Sequence, residues 1–271
     1  MASEAGVWTG EVIDGFTLGR LIEYSERGAL LETEFGSEAL PSVIRVREAG
    51  SEDNETTLAG WRDAIALEHP NVLRTYAAGA SVLNHAPIVY AVMERPDESL
   101  GNVVAERALS AEETRRVLDP ALAGLKYLHN QGYTVPGLTA SQLVAVGDQL
   151  KISAENIVRA GAGASTAEDV RALGALVVQA LTQKIPEVGR APDAATMRDI
   201  PSPLKEFVWR CLNPDVNRRW SAEEAEAFLR NPDAPVVPSF QPAATEQLPS
   251  SAMEQARAEA EQWPSSGRGA L

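Results

Sequence analysis

Cysteine is almost absent: Cys211 is the only one in 271 residues. A single thiol forms no internal disulfide and no cysteine-based metal site, which points to a reducing compartment. It lies in the helical pattern FVWRCL and reads as a small buried hydrophobe. Histidine is scarce too, and His69, His85 and His129 show no metal-ligand spacing. No stretch approaches 18 consecutive apolar residues, so no transmembrane segment is expected. The start, MASEAGVWTGE, has neither a basic region nor an apolar run, and no signal peptide is expected. Positive charge is in deficit: 24 Lys and Arg stand against 38 Asp and Glu, a net charge of −14. Such a chain repels phosphate backbones and anionic lipid heads, which excludes nucleic acid and bare membrane as expected partners. The expected location is cytoplasmic.

What is present suits a packed fold. Hydrophobic residues make up 44% of the chain, enough for one large domain or two lobes with a tail. Residues 1–14 carry little pattern. Over 15–94 the text reads as strands, FTLGRLIEY, ALLETEF, SVIRVRE, VLRTYAAGAS and APIVYAVME, with alternation clearest at Val43-Ile44-Arg45-Val46-Arg47. One helix is expected within them, from Thr56 to Glu68, after a polar acidic loop at 51–55. His69-Pro70-Asn71 ends it, because a residue before proline resists helical dihedrals.

Over 95–231 helices dominate. Ser110-Ala-Glu-Glu is a capping box, and Val117, Leu118, Ala121, Leu122, Leu125 and Leu128 form an apolar stripe that Pro120 interrupts. Leu143 to Ile152 reads as a hairpin turning at Gly147-Asp148. Further helices are expected at Thr166–Leu181, Pro203–Leu212 and Ser221–Leu229. From 232 to 271 Pro, Ser, Ala, Gln and Glu prevail, which predicts a mobile tail with a marginal helix over 252–262.

Five pieces of this sequence, in order, resemble a bacterial Ser/Thr protein kinase. They are Glu68-His69-Pro70-Asn71, Val92-Met93-Glu94, Leu125-Lys126-Tyr127-Leu128-His129, Glu168-Asp169-Val170-Arg171, and Cys211-Leu212-Asn213-Pro214 with Arg218-Arg219 and Ser221-Ala222. The resemblance implies an α+β, two-lobed protein kinase-like fold, with a β-rich N-lobe at 15–94 and a helical C-lobe at 95–231.

It also implies where the chemistry should sit. Phosphoryl transfer needs a glycine-rich loop, a strand lysine, a helix glutamate, a catalytic Asp, and Asn and Asp to hold metal. By the resemblance the loop falls on residues 22–30, where Gly28 alone remains of three glycines and Glu23 and Glu26 put negative charge near the phosphates. The lysine position is Arg45, which keeps charge but not shape. The helix glutamate falls at Gly60 or Ala59, leaving Arg45 without its usual acid. The catalytic base becomes Gly137, the metal-holding Asn becomes Gln142, and the metal-holding Asp becomes Ala154. Glu155, one position on, is expected to point elsewhere as a solvated hairpin-end acid. Arg218 or Arg219 is expected to be freed or re-paired.

Two function classes compete. The first is a pseudokinase, a regulatory or scaffold protein-binding module that holds no cofactor and binds ATP weakly or not at all. Gly28, Arg45, Met93 and Glu94 are its candidate nucleotide contacts. The second is an atypical Ser/Thr kinase, or another ATP-dependent transferase, with relocated catalytic residues. The Ala-, Arg- and Glu-rich style further resembles actinobacterial proteins. There, degenerate kinase-like domains resemble a class linked to peptidoglycan-precursor flippases. That implies a forkhead-associated, phosphothreonine-binding partner, phosphoacceptors at Thr166 or Thr245, and a place at the inner face of the membrane through that partner. Ser165 and Thr166 also read as a helix N-cap with its neighbour.

Overall fold

The computed structural model of the chain describes residues 8–25, 28–49, 52–161, 165–187, 190 and 193–232. Glu26, Thr245 and the expected helix over 252–262 lie outside the described residues.

A short ribbon pairs β1 (Val12–Ile13), in the stretch that looked patternless, with β2 (Phe16–Thr17), at the start of the expected strands. Beyond it come β3 (Leu21–Ser25), β4 (Gly28–Phe35) and β5 (Leu40–Glu48), then β6 (Thr75–Leu83) and β7 (Ala86–Glu94). These five make one antiparallel sheet in the order β3-β4-β5-β7-β6. Strand periodicity sends alternate side chains of β5 to opposite faces. Ile44 and Val46 join Ala29, Leu31 and Val92 in one buried cluster. Val43 goes the other way, with Leu30, Leu73, Met93 and Val144, and Arg45 shares its side of the strand.

The helix within this lobe, α1 (Glu52–Ala64), begins earlier and ends sooner than expected. The acidic residues at its start, expected as a loop, are favourable in a first helical turn. After Ala64 the N–H groups of Ile65, Ala66 and Leu67 bond three residues back, to Arg62, Asp63 and Ala64. The chain therefore tightens out of the helix before reaching Pro70. Trp61 packs on Val89 and Ala91 of β7.

Beyond Glu94 the helices take over. They follow β8 (Glu98–Ser99) as α2 (Leu100–Glu106) and α3 (Ala111–Asn130). The Ser110 capping box forms as expected: Ser110 N–H donates to Glu113 Oε2 at 2.8 Å, and Glu113 N–H to Ser110 Oγ at 3.2 Å. Pro120 stays inside an unbroken α3. Leu118, Ala121, Leu122, Leu125 and Leu128 are fully buried and form the centre of this lobe. Each leucine removed from water contributes about 1.5–3 kcal/mol.

A small ribbon joins β9 (Tyr133–Thr134) to β12 (Val158–Arg159). Between them in sequence lies the hairpin of β10 (Leu143–Val146) and β11 (Gln149–Ile152), whose turn residue Gly147 has φ +55°. Then come α4 (Thr166–Thr182), α5 (Ala194–Asp199), α6 (Leu204–Cys211) and α7 (Ala222–Arg230). No helix among the described residues is long and apolar enough to cross a membrane.

Two contacts tie the sheet side to the hairpin. Leu73 N–H donates to Ile152 O at 2.8 Å, and Ile152 N–H donates to Asn71 O at 2.9 Å. His69 stacks on Tyr127 with centroids 4.8 Å apart, and its Nδ1 accepts from Asn71 N–H. Burial, with Lys126 nearby, holds the His69 imidazole below its ordinary pKa, so the neutral ring that accepts this bond is favoured.

Candidate functional site

Between the sheet and the helices lies a cavity of about 660 Å³. Leu30, Val43, Leu73 and Val144 supply its apolar walls. Among the described residues, Glu23, Asp97, Glu98 and Glu155 bring four carboxylates to its lining, and Arg45 is the one cation there.

Arg45 is 4% exposed, and both terminal nitrogens of its guanidinium are engaged with its own chain. Nη2 lies 3.2 Å from Glu155 Oε2 and 3.3 Å from Oε1. Nη1 lies 3.7 Å from Glu23 Oε1 and donates to Gly28 O at 3.4 Å. Two sequence expectations are therefore corrected. Arg45 does have an acid, and Glu155 is not a solvated hairpin end, since its side chain is only 10% exposed. The acid comes from beyond β11 rather than from α1, over a separation of 110 residues that no local pattern reports.

The α1 side of the site explains why no glutamate stands there. A Cβ on Gly60 would collide with the Ile157 carbonyl oxygen. One turn-neighbour along, Trp61 Nε1 donates to Glu155 O at 2.9 Å. The helix thus lies directly on the backbone of 155–157, and glycine permits the close approach. The sequence did carry a signal here: an isolated glycine inside a helix costs about 1 kcal/mol against alanine, so it marks a packing reason.

The remaining expected positions are dispersed. Gly137 is exposed, with φ +68°, and lines a separate cavity of about 560 Å³ beside α4. Gln142 is 1% exposed; its Oε1 accepts from Thr139 N–H at 3.0 Å, and its Nε2 has no partner. Arg45 Nε is likewise buried without one. Ala154 is 1% exposed and packs into the helical core, outside the cavity lining. Gly28 has φ +93°, and a Cβ there would clash with Val46 O. Met93 is 1% exposed within the apolar cluster, while Glu94 is held by Lys151 Nζ at 2.7 Å. Neither residue, nor Gly28, is part of the cavity lining.

The connection at 95–97 offers a ligand little on its cavity side. Pro96 has no N–H, and the Asp97 N–H is taken by Ala145 O at 2.8 Å. The N–H of Glu94 is taken by Arg74 O at 2.9 Å.

Below the cleft, Asp169 is 2% exposed and accepts from Val135 N–H at 3.0 Å, with His129 Nε2 at 2.8 Å. Arg219 is re-paired, lying 2.6 Å from Glu168 Oε1 and donating to Ala167 O at 3.0 Å. Thr166 is the first residue of α4, and Ser165 Oγ caps that helix by accepting from Ala167 N–H. Among the described residues, no three His, Cys, Asp or Glu side chains gather as a metal-holding group.

No family model matches this chain, and no curated protein does. Solved structures do. The chain is similar to the kinase domain of Mycobacterium tuberculosis PknI, with a TM-score of 0.68 and 16% identity over 82% of this chain and 98% of that one. A cysteine-to-alanine variant of the same domain aligns with a TM-score of 0.69 at 16% identity, over 82% and 97% of the two chains. The fold is that of a protein kinase: a β-sheet lobe and a helical lobe around a cleft.

That fold implies a magnesium nucleotide in the cleft, and the residues present do not fit one. Among the described residues, the metal-ligand position implied by the resemblance is a buried methyl, Gln142 is bonded to its own loop, the one cation of the lining is paired with Glu155, and the lining is acidic.

Proposed function

We propose that this chain is a pseudokinase, a kinase-fold protein that binds other proteins and regulates or scaffolds them without transferring phosphoryl groups. The observation that carries the reading is the Arg45–Glu155 pair, which occupies the one cation that the described residues of the cavity lining offer a phosphate. Phosphoryl transfer depends on compensating the charge that develops on the transferred group. Here Gly137 offers no base and Ala154 no metal ligand. A rescue would require several independent replacements at once.

Incubation with labelled ATP is the direct test, using this chain alone and with a generic protein substrate. The expected result is no incorporation. Incorporation that disappears in Arg45→Ala or Glu155→Ala would overturn the reading in favour of an atypical kinase.

The same reading extends to cell-wall synthesis signalling at the inner face of the membrane. Its support is the actinobacterial resemblance of the sequence. Thr166, or Thr245 in the tail, would be phosphorylated by an upstream kinase and bound by a forkhead-associated domain. Phosphate on Thr166 would sit at the N-terminus of α4, where the helix dipole favours it. If an upstream kinase modifies neither threonine in vitro, that extension falls while the pseudokinase reading stands.

A further inference from the structure

We propose that the face shared by α5 and α6 is a docking site for an acidic segment of a partner protein, one that carries an apolar or aromatic side chain between carboxylates. An open cavity of about 710 Å³ lies there, lined by Ala194, Met197, Arg198, Lys205, Glu206 and Trp209. Helical spacing builds it. Ala194, Met197 and Arg198 stand three and four residues apart on α5, and Lys205 and Trp209 stand four apart on α6, so each helix gives one side of itself to the cavity. Other sides hold the helices down: Thr196 of α5 is buried, as are Leu204, Phe207, Val208 and Cys211 of α6. Two features of this face ask for a partner. Trp209 is 52% exposed, whereas Trp61 and Trp220 are buried. A half-exposed tryptophan beside a methionine leaves a large apolar surface in water, and tryptophan is enriched where binding energy concentrates. Charge is the second feature. Most arginine and lysine side chains among the described residues are tied to carboxylates or carbonyls, but Arg198 and Lys205 make neither an ion pair nor a hydrogen bond. The one acid in the lining, Glu206, is paired with Arg210 at 2.7 Å. A chain of charge −14 thus keeps two uncommitted cations beside its half-exposed tryptophan.

Complementarity selects the occupant. A second copy docking by the same face would set Arg198 and Lys205 against themselves across a two-fold axis. An anionic membrane gains about 1 kcal/mol from each basic side chain near it, while the rest of so acidic a chain is repelled. An acidic segment answers both features at once. Its carboxylates meet Arg198 and Lys205, and its apolar side chain covers Trp209 and Met197. The net charge of the chain otherwise repels such a segment, so diffuse attraction does not mimic this docking. The inference rests on the protein-binding half of the proposed function and not on the loss of phosphoryl transfer, which labelled ATP tests separately.

Three fluorescein-labelled peptides of equal length separate the two features. One has Asp and Glu flanking a central Leu-Phe, the second has the same acids flanking Ala-Ala, and the third has Asn and Gln flanking Leu-Phe. Measured by anisotropy against the full chain, the first is expected to bind at least about tenfold more tightly than either of the others, a step of about 1.4 kcal/mol. That comparison needs no variant. Trp209→Ala is expected to lower the affinity of the first peptide at least about tenfold, as is Arg198→Glu with Lys205→Glu. Arg62→Glu with Arg116→Glu makes the same change of charge at exposed cations outside the lining, and is expected to leave affinity near the parent value. Circular dichroism melts establish that the variants fold. No binding of the first peptide, equal binding of all three, or equal losses in the two charge-reversed variants overturns the proposal. Pelleting with phosphatidylglycerol vesicles that Trp209→Ala abolishes would assign the face to lipid instead. A dimer in sedimentation that Arg198→Glu with Lys205→Glu dissolves would assign it to a second copy.

Discussion

Arg45 and Glu155 stand 110 residues apart in sequence and meet at 3.2 Å, both nearly withdrawn from solvent. The pair fastens the middle of β5 to the segment after β11. Removing one partner strands a buried charge, which costs about 3–5 kcal/mol, whereas replacing both with apolar groups of similar size is close to neutral. Arg45→Met and Glu155→Leu are each expected to lower urea stability by about that amount. The double variant is expected to recover most of the loss. Losses that simply add in a double-mutant cycle would show that the two side chains are not coupled.

Gly60 sets two effects against each other. Alanine in a helix interior is favoured over glycine by about 1 kcal/mol. A Cβ at Gly60 meets Ile157 O, and overpacking of that kind costs about 1–3 kcal/mol. A backbone oxygen moves less readily than a side chain, so the second effect wins. Gly60→Ala is expected to be destabilising in urea melts, with faster amide exchange over 154–158. A variant as stable as the parent would mean α1 does not lie on that backbone as described.

The pH response of the Glu168 network has a definite sign. Burial works to raise the Glu168 pKa, but hydrogen bonds from Arg171 and Arg219 outweigh it and leave the carboxyl below its ordinary value of 4.5. A lowered folded value gives stability that is present above pH 4.5 and lost as pH falls through the folded value. Arg219→Ala should therefore be less stable than the parent at pH 7, and the gap should narrow as urea midpoints are followed toward pH 3. Part of the gap should persist, because Arg219 also donates to Asn213 O and Ala167 O. A gap that widens in acid would contradict the pairing.

Magnesium ATP is expected to leave the melting temperature unchanged, since a ligand stabilises a fold only as far as it binds it. A rise of several degrees would show that the cleft does compensate phosphate charge. Arg45→Ala would then reveal whether the guanidinium leaves Glu155 to do so.

Much of the architecture was legible along the chain. The capping boxes at Ser110 and Ser221, the leucine stripe of α3 and the Gly147-Asp148 turn are local signals, and each forms where local chemistry places it. The start of α1 was misread because its acidic first turn also reads as a polar loop. The site was less legible for a different reason. Gly137, Gln142 and Ala154 announce what is missing, but a substitution does not say what fills the gap. The Arg45–Glu155 pair, the Trp61 bond to Glu155 O and the Gly60–Ile157 contact each join segments some 94 to 110 residues apart, where periodicity is silent.

Glu155 holds β5 by its side chain and α1 by its carbonyl oxygen. The connection through Pro96 joins the same two halves at another point, and the bond from Leu73 N–H to Ile152 O and the Lys151–Glu94 pair join them at two more. A body fastened to its neighbour at several spread points has no free axis to turn about. The cavity bordered by Pro96 and Glu155 should therefore hold one shape, because its two walls share one frame.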